Sequence, residues 1–213
     1  MAQMGRPRTF DREQAVEQAM HLFWQYGYDA TSLAQLKGGL GGGISAPSFY
    51  AAFGSKEALF DECVQRYLAT YAQVTECLWD ETLPPRQAIE TALRQSARMQ
   101  CDNAHPRGCM VTLGVMSAPS PENARVTDAL TQSRARTRAG IVACVERAIS
   151  GGSLPDTLHA AAMATVFDSF LQGVSIQARD NVPHAVIDAA IGQLMLTWDI
   201  AAATAPPHRS TAS

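Results

Sequence analysis

Between Thr31 and Phe60 the chain carries a short apolar-periodic segment, a run of glycines, a second short segment rich in aromatics and a Ser-Lys-Glu start. That is the order in which a helix-turn-helix is built. Thr31 and Ser32 stand directly before Leu33, Ala34 and Leu36, so Thr31 is expected to cap the first short helix through its hydroxyl. The glycines from Gly38 to Gly43 are expected to end that helix. Ser45 then caps the next one, with Pro47 in its first turn, where a missing N–H costs nothing. Phe49 and Phe53 are four residues apart and share a face, which predicts that both are buried and that Tyr50 is left free. Ser55 is a third cap and places Lys56 at the first helical position. A cation there opposes the helix dipole, so stability gives no reason for it, whereas a phosphate partner would.

At Phe23, Gly27, Tyr28, Thr31, Ser32, Leu33, Ile44, Ser45, Tyr50, Phe53, Lys56, Glu57 and Leu59 the chain resembles the tetracycline-repressor (TetR) family of bacterial transcription regulators, over roughly Phe10 to Phe60. The resemblance implies an N-terminal arm and helix-turn-helix DNA-binding domain over residues 1–54. A helical effector-binding and dimerisation domain would follow over 55–205, with its first helix, 55–80, connecting the two and a disordered tail at 206–213. It also implies a repressor, not an enzyme, that works in the cytoplasm as a homodimer without a cofactor and leaves a palindromic double-stranded operator when a small-molecule effector binds. Ser45, Ala46, Pro47 and Ser48 would lie at the exposed start of the recognition helix, Tyr50 and Lys56 would meet phosphates, and Thr31 or Ser32 would touch the DNA backbone. One departure is visible: Gly38, Gly39, Gly41, Gly42 and Gly43 make the turn longer than the family usually carries. Each glycine inside a helix costs about 0.5–1 kcal/mol against alanine, which predicts a shortened or frayed first helix.

Elsewhere the pattern is helical almost throughout, and no segment alternates with period two, so an all-α fold of about nine helices is expected. Asp11 with Gln14 reads as a capping box, with Phe10 and Ala15 as a hydrophobic staple, and Gly27 closes the helix. Further helices are expected over 55–80, 84–103, 122–149, 156–180 and 183–203, with a short apolar segment from Cys109 to Met116. In the last two, Ile187, Ile191, Leu194 and Trp198 form an apolar face and Thr165, Ser169 and Gly173 a small-residue stripe. That pattern fits packing within the chain; by the family resemblance it marks a four-helix interface between two copies.

Composition narrows the field of functions. Up to Lys56 there are five basic residues (Arg6, Arg8, Arg12, Lys37, Lys56) against four acidic ones, and beyond it twelve against sixteen, so a weak basic excess sits at the N-terminus. Arg6 and Arg8 could enter a minor groove or simply be solvated. Five scattered cysteines fit a reducing compartment, and no segment reads as a membrane span of about eighteen or more apolar residues. The glycine run has the outline of a phosphate loop, but Ile44 stands where its lysine must be, and Ser175 lacks the second glycine of a nucleophile elbow. Cys101, His105 and Cys109, spaced by four, could supply ligands to a metal or redox sensor, and Cys109 with His105 a small helical enzyme, although no third orienting residue is evident. By the resemblance an effector pocket would lie among the middle helices, near Trp79, Met99, Met110, Leu113, Met116 and Phe167. No charged group there stands out as an anchor.

Overall fold

The computed structural model describes residues 11–114 and 120–205, which leaves Arg6, Arg8, Phe10, Met116 and the tail outside the description. The described residues are all-α, with nine α-helices and two 3-10 segments: α1 Arg12–Tyr26, α2 Leu33–Gly39, α3 Ala46–Phe53, α4 Lys56–Ala69, a 3-10 segment Tyr71–Trp79, α5 Pro85–Gln100, α6 Met110–Leu113, a second 3-10 segment Pro121–Thr127, α7 Asp128–Ser150, α8 Ala160–Arg179 and α9 His184–Ala203. The helix expected over 55–80 breaks at Thr70, which has φ −123° and ψ −83°. There the Thr70 hydroxyl donates to Arg66 O at 2.7 Å and the Gln73 amide to Leu68 O at 2.7 Å, so side chains take the last carbonyls and the chain tightens into 3-10 geometry.

Two apolar cores organise the helices. In the first, Val16, Met20, Phe23 and Trp24 of α1 pack with Leu36, Leu40, Phe49 and Phe53, and with Leu59, Phe60, Val64 and Tyr67 of α4. The same core takes in Met110, Val111, Val126 and Leu130, so it runs beyond the first four helices. The second gathers Ile89 and Leu93 of α5, Ile141 and Val145 of α7, Phe167 and Val174 of α8, and Ile187, Ile191, Met195 and Trp198 of α9.

Contrary to the sequence reading, α9 is long and apolar enough to cross a membrane by length and composition. Its two carboxylates are tied to α5 instead: Arg86 pairs with Asp199 at 2.7 Å and Arg94 with Asp188 at 2.6 Å. One side of α9 fills the second core, while Val186, Leu196 and Ile200 stay exposed, so the apolarity is spread over two sides of a packed helix.

The two halves meet at Trp24. Its buried indole N–H donates to Gly108 O at 3.0 Å, and its ring stacks on His105 at 4.5 Å and meets Tyr67 and Tyr71 edge-on at 4.8 and 5.0 Å. Gly108 has φ +86°, and a Cβ there would fall 2.8 Å from Ser175 O, so glycine is required. From the end of α8, Arg179 donates to Trp24 O and Gln25 O at 2.8 and 2.9 Å, placing a cation on the carbonyl end of α1.

His21 lies beside this joint with its Nε2 buried and unpaired. Burial lowers its pKa, Glu17 opposes that effect and His105 adds to it. Because the fold favours neutral His21, its contribution to stability is complete above the ordinary histidine value of 6.5 and is lost as pH falls through the lower folded value. Thermal unfolding of the wild type should therefore drop more steeply below that pH than unfolding of His21→Gln; parallel curves would show that His21 does not titrate on unfolding.

Candidate nucleic-acid interface and interior cavity

The first cap of the helix-turn-helix is Ser32, not Thr31. Gln35 N donates to Ser32 Oγ at 3.1 Å and Ser32 N to Gln35 Oε1 at 2.8 Å, a reciprocal capping box. Thr31 is fully buried and its hydroxyl donates to Gly27 O at 2.6 Å, so that side chain faces the protein and Ser32 alone of the pair presents its side to solvent. The expected fraying of α2 does not occur: the helix runs through Gly38 and Gly39, and Leu40 behind it is fully buried. Gly41, Gly42 and Gly43 have φ of 59°, 82° and 105°, conformations that L-residues avoid. The turn is tied down by Gly41 N to Gln18 Oε1 at 2.9 Å, Gly43 N to Leu40 O at 2.8 Å and Ile44 N to Lys37 O at 2.8 Å. The glycines thus build an ordered turn between α2 and α3.

Ser45 caps α3, with Ser48 N donating to its hydroxyl at 3.2 Å and the two hydroxyls 2.8 Å apart. Ser45, Pro47, Ser48 and Tyr50 are exposed and Ala46 half-buried, whereas Phe49 and Phe53 are buried as their spacing requires. Lys56 has a partner that the sequence did not reveal: its Nζ lies 4.3 Å from the centre of the Tyr28 ring. Partial burial lowers its pKa while Asp29 opposes this, so the cation against the helix dipole has an explanation inside the protein. Arg12, also missed, grips Glu62 through two bonds of 2.6 and 2.7 Å and reaches Ala52 O, joining α1, α3 and α4.

Of the residues expected at a subunit interface, Ile187, Ile191 and Trp198 are instead buried in the chain's own second core, because the inner side of α9 packs on α5. Leu194 is partly buried against that core, Thr165 and Ser169 are exposed, and a Cβ on Gly173 would meet nothing. The outward apolar residues of α8 and α9 are Val166, Ile176, Val186, Leu196 and Ile200, the last 68% exposed. They occupy the helix positions between those the sequence pattern selected.

A cavity of about 50 Å³ lies between α4, α5, α6, α7 and α8, and Met99 is the expected pocket residue that lines it. Trp79 is at the surface under the Arg136 guanidinium, Met110 and Phe167 are buried in the two cores, and Leu113 lines a separate cavity beside Tyr26 and Tyr28. The actual lining is polar as well as apolar. It includes Tyr67, Ser96, Gln100, Cys109, Arg134 and Asp168, so the expected lack of charged groups is corrected. A more open groove of about 510 Å³ shares Ala72, Thr75, Ser133 and Thr137 with it and leads to the surface. Cys101, His105 and Cys109 do not form a metal site, and no group of three His, Cys, Asp or Glu side chains among the described residues is placed to hold one. His105 is stacked on Trp24, while Cys109 Sγ accepts the Tyr67 hydroxyl at 3.3 Å, so each of the two residues that an enzymatic pair would need is engaged by an aromatic side chain instead. Burial raises the thiol pKa of Cys63, Cys77, Cys101 and Cys144.

Residues 15–63 match the family model for bacterial regulatory proteins of the tetR family. The regulator CifR, solved as a cysteine mutant complexed with 26bp double-strand operator DNA, is 34% identical, with 91% of this chain and 100% of that chain covered and a TM-score of 0.79. The chain belongs to the TetR family. It is 29% identical over 198 residues to the transcriptional repressor ComR of Escherichia coli (strain K12), covering 91% of each. It is 40% identical over 113 residues to the repressor BdcR of the same organism, covering 53% of this chain and 56% of that one. As a member of the TetR family it is a DNA-binding transcription regulator.

The glycine turn separates two kinds of substitution. Gly43→Ala should cost about 1–2 kcal/mol because its φ is left-handed. Gly38→Ala, inside α2 where an added Cβ meets nothing, should gain about 0.5–1 kcal/mol. Urea unfolding of both variants measures this, and equal effects would show that the turn is not held as described.

Proposed function

We propose that this chain is a homodimeric repressor that binds a palindromic operator through residues 1–54 and is released when a small molecule fills the cavity in residues 55–205. The observation that carries the first part is the start of α3, where Ser45, Pro47 and Ser48 stand exposed beside Tyr50 on a helix whose opposite face is locked by Phe49 and Phe53. Rigid exposure of short polar side chains at a helix start suits base-edge readout, while Ser32, Tyr50 and Lys56 would meet phosphates. Lys56 has several N–H donors, and its contact with Tyr28 leaves the ammonium able to meet a phosphate.

The second part rests on adjacency. Cys109 lines the cavity, and its neighbour Gly108 holds the Trp24 indole of α1, so a ligand that shifts the Gly108–Cys109 backbone moves the end of a DNA-domain helix. A coupling of about 1–3 kcal/mol is enough for release. The exposed residues Val166, Ile176, Val186, Leu196 and Ile200, together with the open surface at Gly173, support pairing of α8 and α9 with a second copy, which would set two recognition helices about one or more DNA turns apart.

Lys56→Ala should weaken binding to all sequences alike and reduce the slope of log affinity against log salt by about one phosphate contact. An unchanged slope, in a variant shown to be folded, removes the phosphate role. Ile200→Asp should convert the dimer into monomers at micromolar concentration in sedimentation and lower operator affinity; a variant that remains dimeric places the interface elsewhere.

A further inference from the structure

The cavity carries an unusual set of unsatisfied polar groups. Ser96 is 2% exposed, lines the cavity, and its hydroxyl has no protein partner. Gln100, also 2% exposed, accepts the Ser175 hydroxyl at 2.8 Å on Oε1, which leaves its Nε2 donors unused. Asp168, 5% exposed, receives Arg138 Nε and Gln172 Nε2, both at 2.9 Å and both on Oδ2, which leaves Oδ1 free. Among the described residues, the side-chain polar atoms both sealed and unpartnered are His21 Nε2 and His184 Nε2, so the free atoms of Ser96 and Gln100 reach open space, and for residues this buried that space is the cavity. Arg134 adds a cation to the wall. Its guanidinium bonds Val111 O at 2.9 Å and Thr131 Oγ1 at 3.2 Å, both neutral, while the nearby carboxylate of Asp168 is engaged by Arg138. Burial lowers the Arg134 pKa, as expected for a cation lacking a bonded anion.

These free donors and acceptors face one shared space, so an occupant that bonds to several of them at once would be held there. At about 10–15 Å³ for each water, the enclosed volume of about 50 Å³ holds about three to five waters, and with the groove that opens beside it this suits a small molecule of about half a dozen heavy atoms. The donors left over (Arg134, Gln100 Nε2 and the Ser96 hydroxyl) call for an anionic acceptor, and Asp168 Oδ1 calls for a donor. Val74, Met99, Val111 and Leu171 offer a wall for a short alkyl group.

Given the reading of this cavity as the effector site, we propose that it takes a short aliphatic 2-hydroxy or 2-amino carboxylate, whose carboxylate meets Arg134 and the Gln100 amide and whose hydroxyl or ammonium donates to Asp168. An apolar effector would leave all of these polar groups unpaired, and a simple organic cation could meet Asp168 but would leave the Arg134 donors without an acceptor.

The test is a thermal-shift and calorimetric titration of the full chain with lactate and alanine, against propanoate, which lacks the donor, and propane-1,2-diol, which lacks the carboxylate. Lactate or alanine should raise Tm in a concentration-dependent way and weaken operator binding, with the two controls at least about tenfold weaker. Arg134→Gln should lose about tenfold in affinity for the carboxylate. Ser96→Ala should weaken ligand binding but leave the free protein as stable as the wild type or more so, because it removes a hydroxyl that has no partner. A fall in the Tm of free Ser96→Ala would overturn the premise that this hydroxyl is unpaired. If propanoate or the diol binds as well as lactate, or if a broad panel yields a stabilising effector of another class, the proposed class is wrong and the effector site stands. If no compound in such a panel stabilises the chain or alters operator binding, the effector reading itself fails.

Discussion

The architecture turns on one buried hydrogen bond, from the Trp24 indole to the carbonyl of Gly108. By itself such a bond contributes about 0.5–1.5 kcal/mol, but the ring also stacks on His105 and meets Tyr67 and Tyr71 edge-on, and aromatic pairs add about 0.5–1.5 kcal/mol each. The total is of the same order as an allosteric coupling energy. The end of α1 therefore cannot shift relative to the 101–109 loop without losing an amount comparable to what a ligand could supply. Arg179 reinforces the joint by closing the carbonyls of Trp24 and Gln25.

The joint also explains why the apolar cores do not divide where the functions are proposed to divide. α4 gives Leu59, Phe60 and Val64 to the core beneath the helix-turn-helix, and Met110, Val111 and Leu130 enter that core from the other half. Tyr67 belongs to this core and also lines the cavity, where its hydroxyl donates to Cys109. One side chain thus touches both the support of the recognition helix and the wall of the proposed effector site. A polar cavity bounded by Arg134 and Asp168 in such a place costs stability if it stays unfilled, the usual mark of a site kept for binding.

Much of the DNA-reading half was legible in the sequence because its signals are local. The caps Ser45 and Ser55, the terminator Gly27 and the buried pair Phe49 and Phe53 follow from hydrogen bonds and spacings within a turn or two of helix. Sequence alone does not separate Thr31 from Ser32 as the cap because both residues have the right chemistry, and burial of Thr31 decides between them. Glycine composition predicts a frayed α2 because it registers glycine's entropy and helix cost but not the backbone angle. Three successive left-handed residues joined to Gln18 of α1 make the tract specific instead of loose.

The sequence by itself determined the all-helical class, the place of the helix-turn-helix and the family, since these rest on periodicity and on motifs carried by contiguous residues. Tertiary structure alone decided which side of α9 is core and which is free, that Lys56 rests on Tyr28, that His105 serves Trp24 rather than a metal, and that Ser96, Gln100, Arg134 and Asp168 share one cavity. The physical reason is common to all of these. An amphipathic pattern says that a face must be covered but not by what, and a polar residue in a helix has no visible role until residues from distant helices close around it.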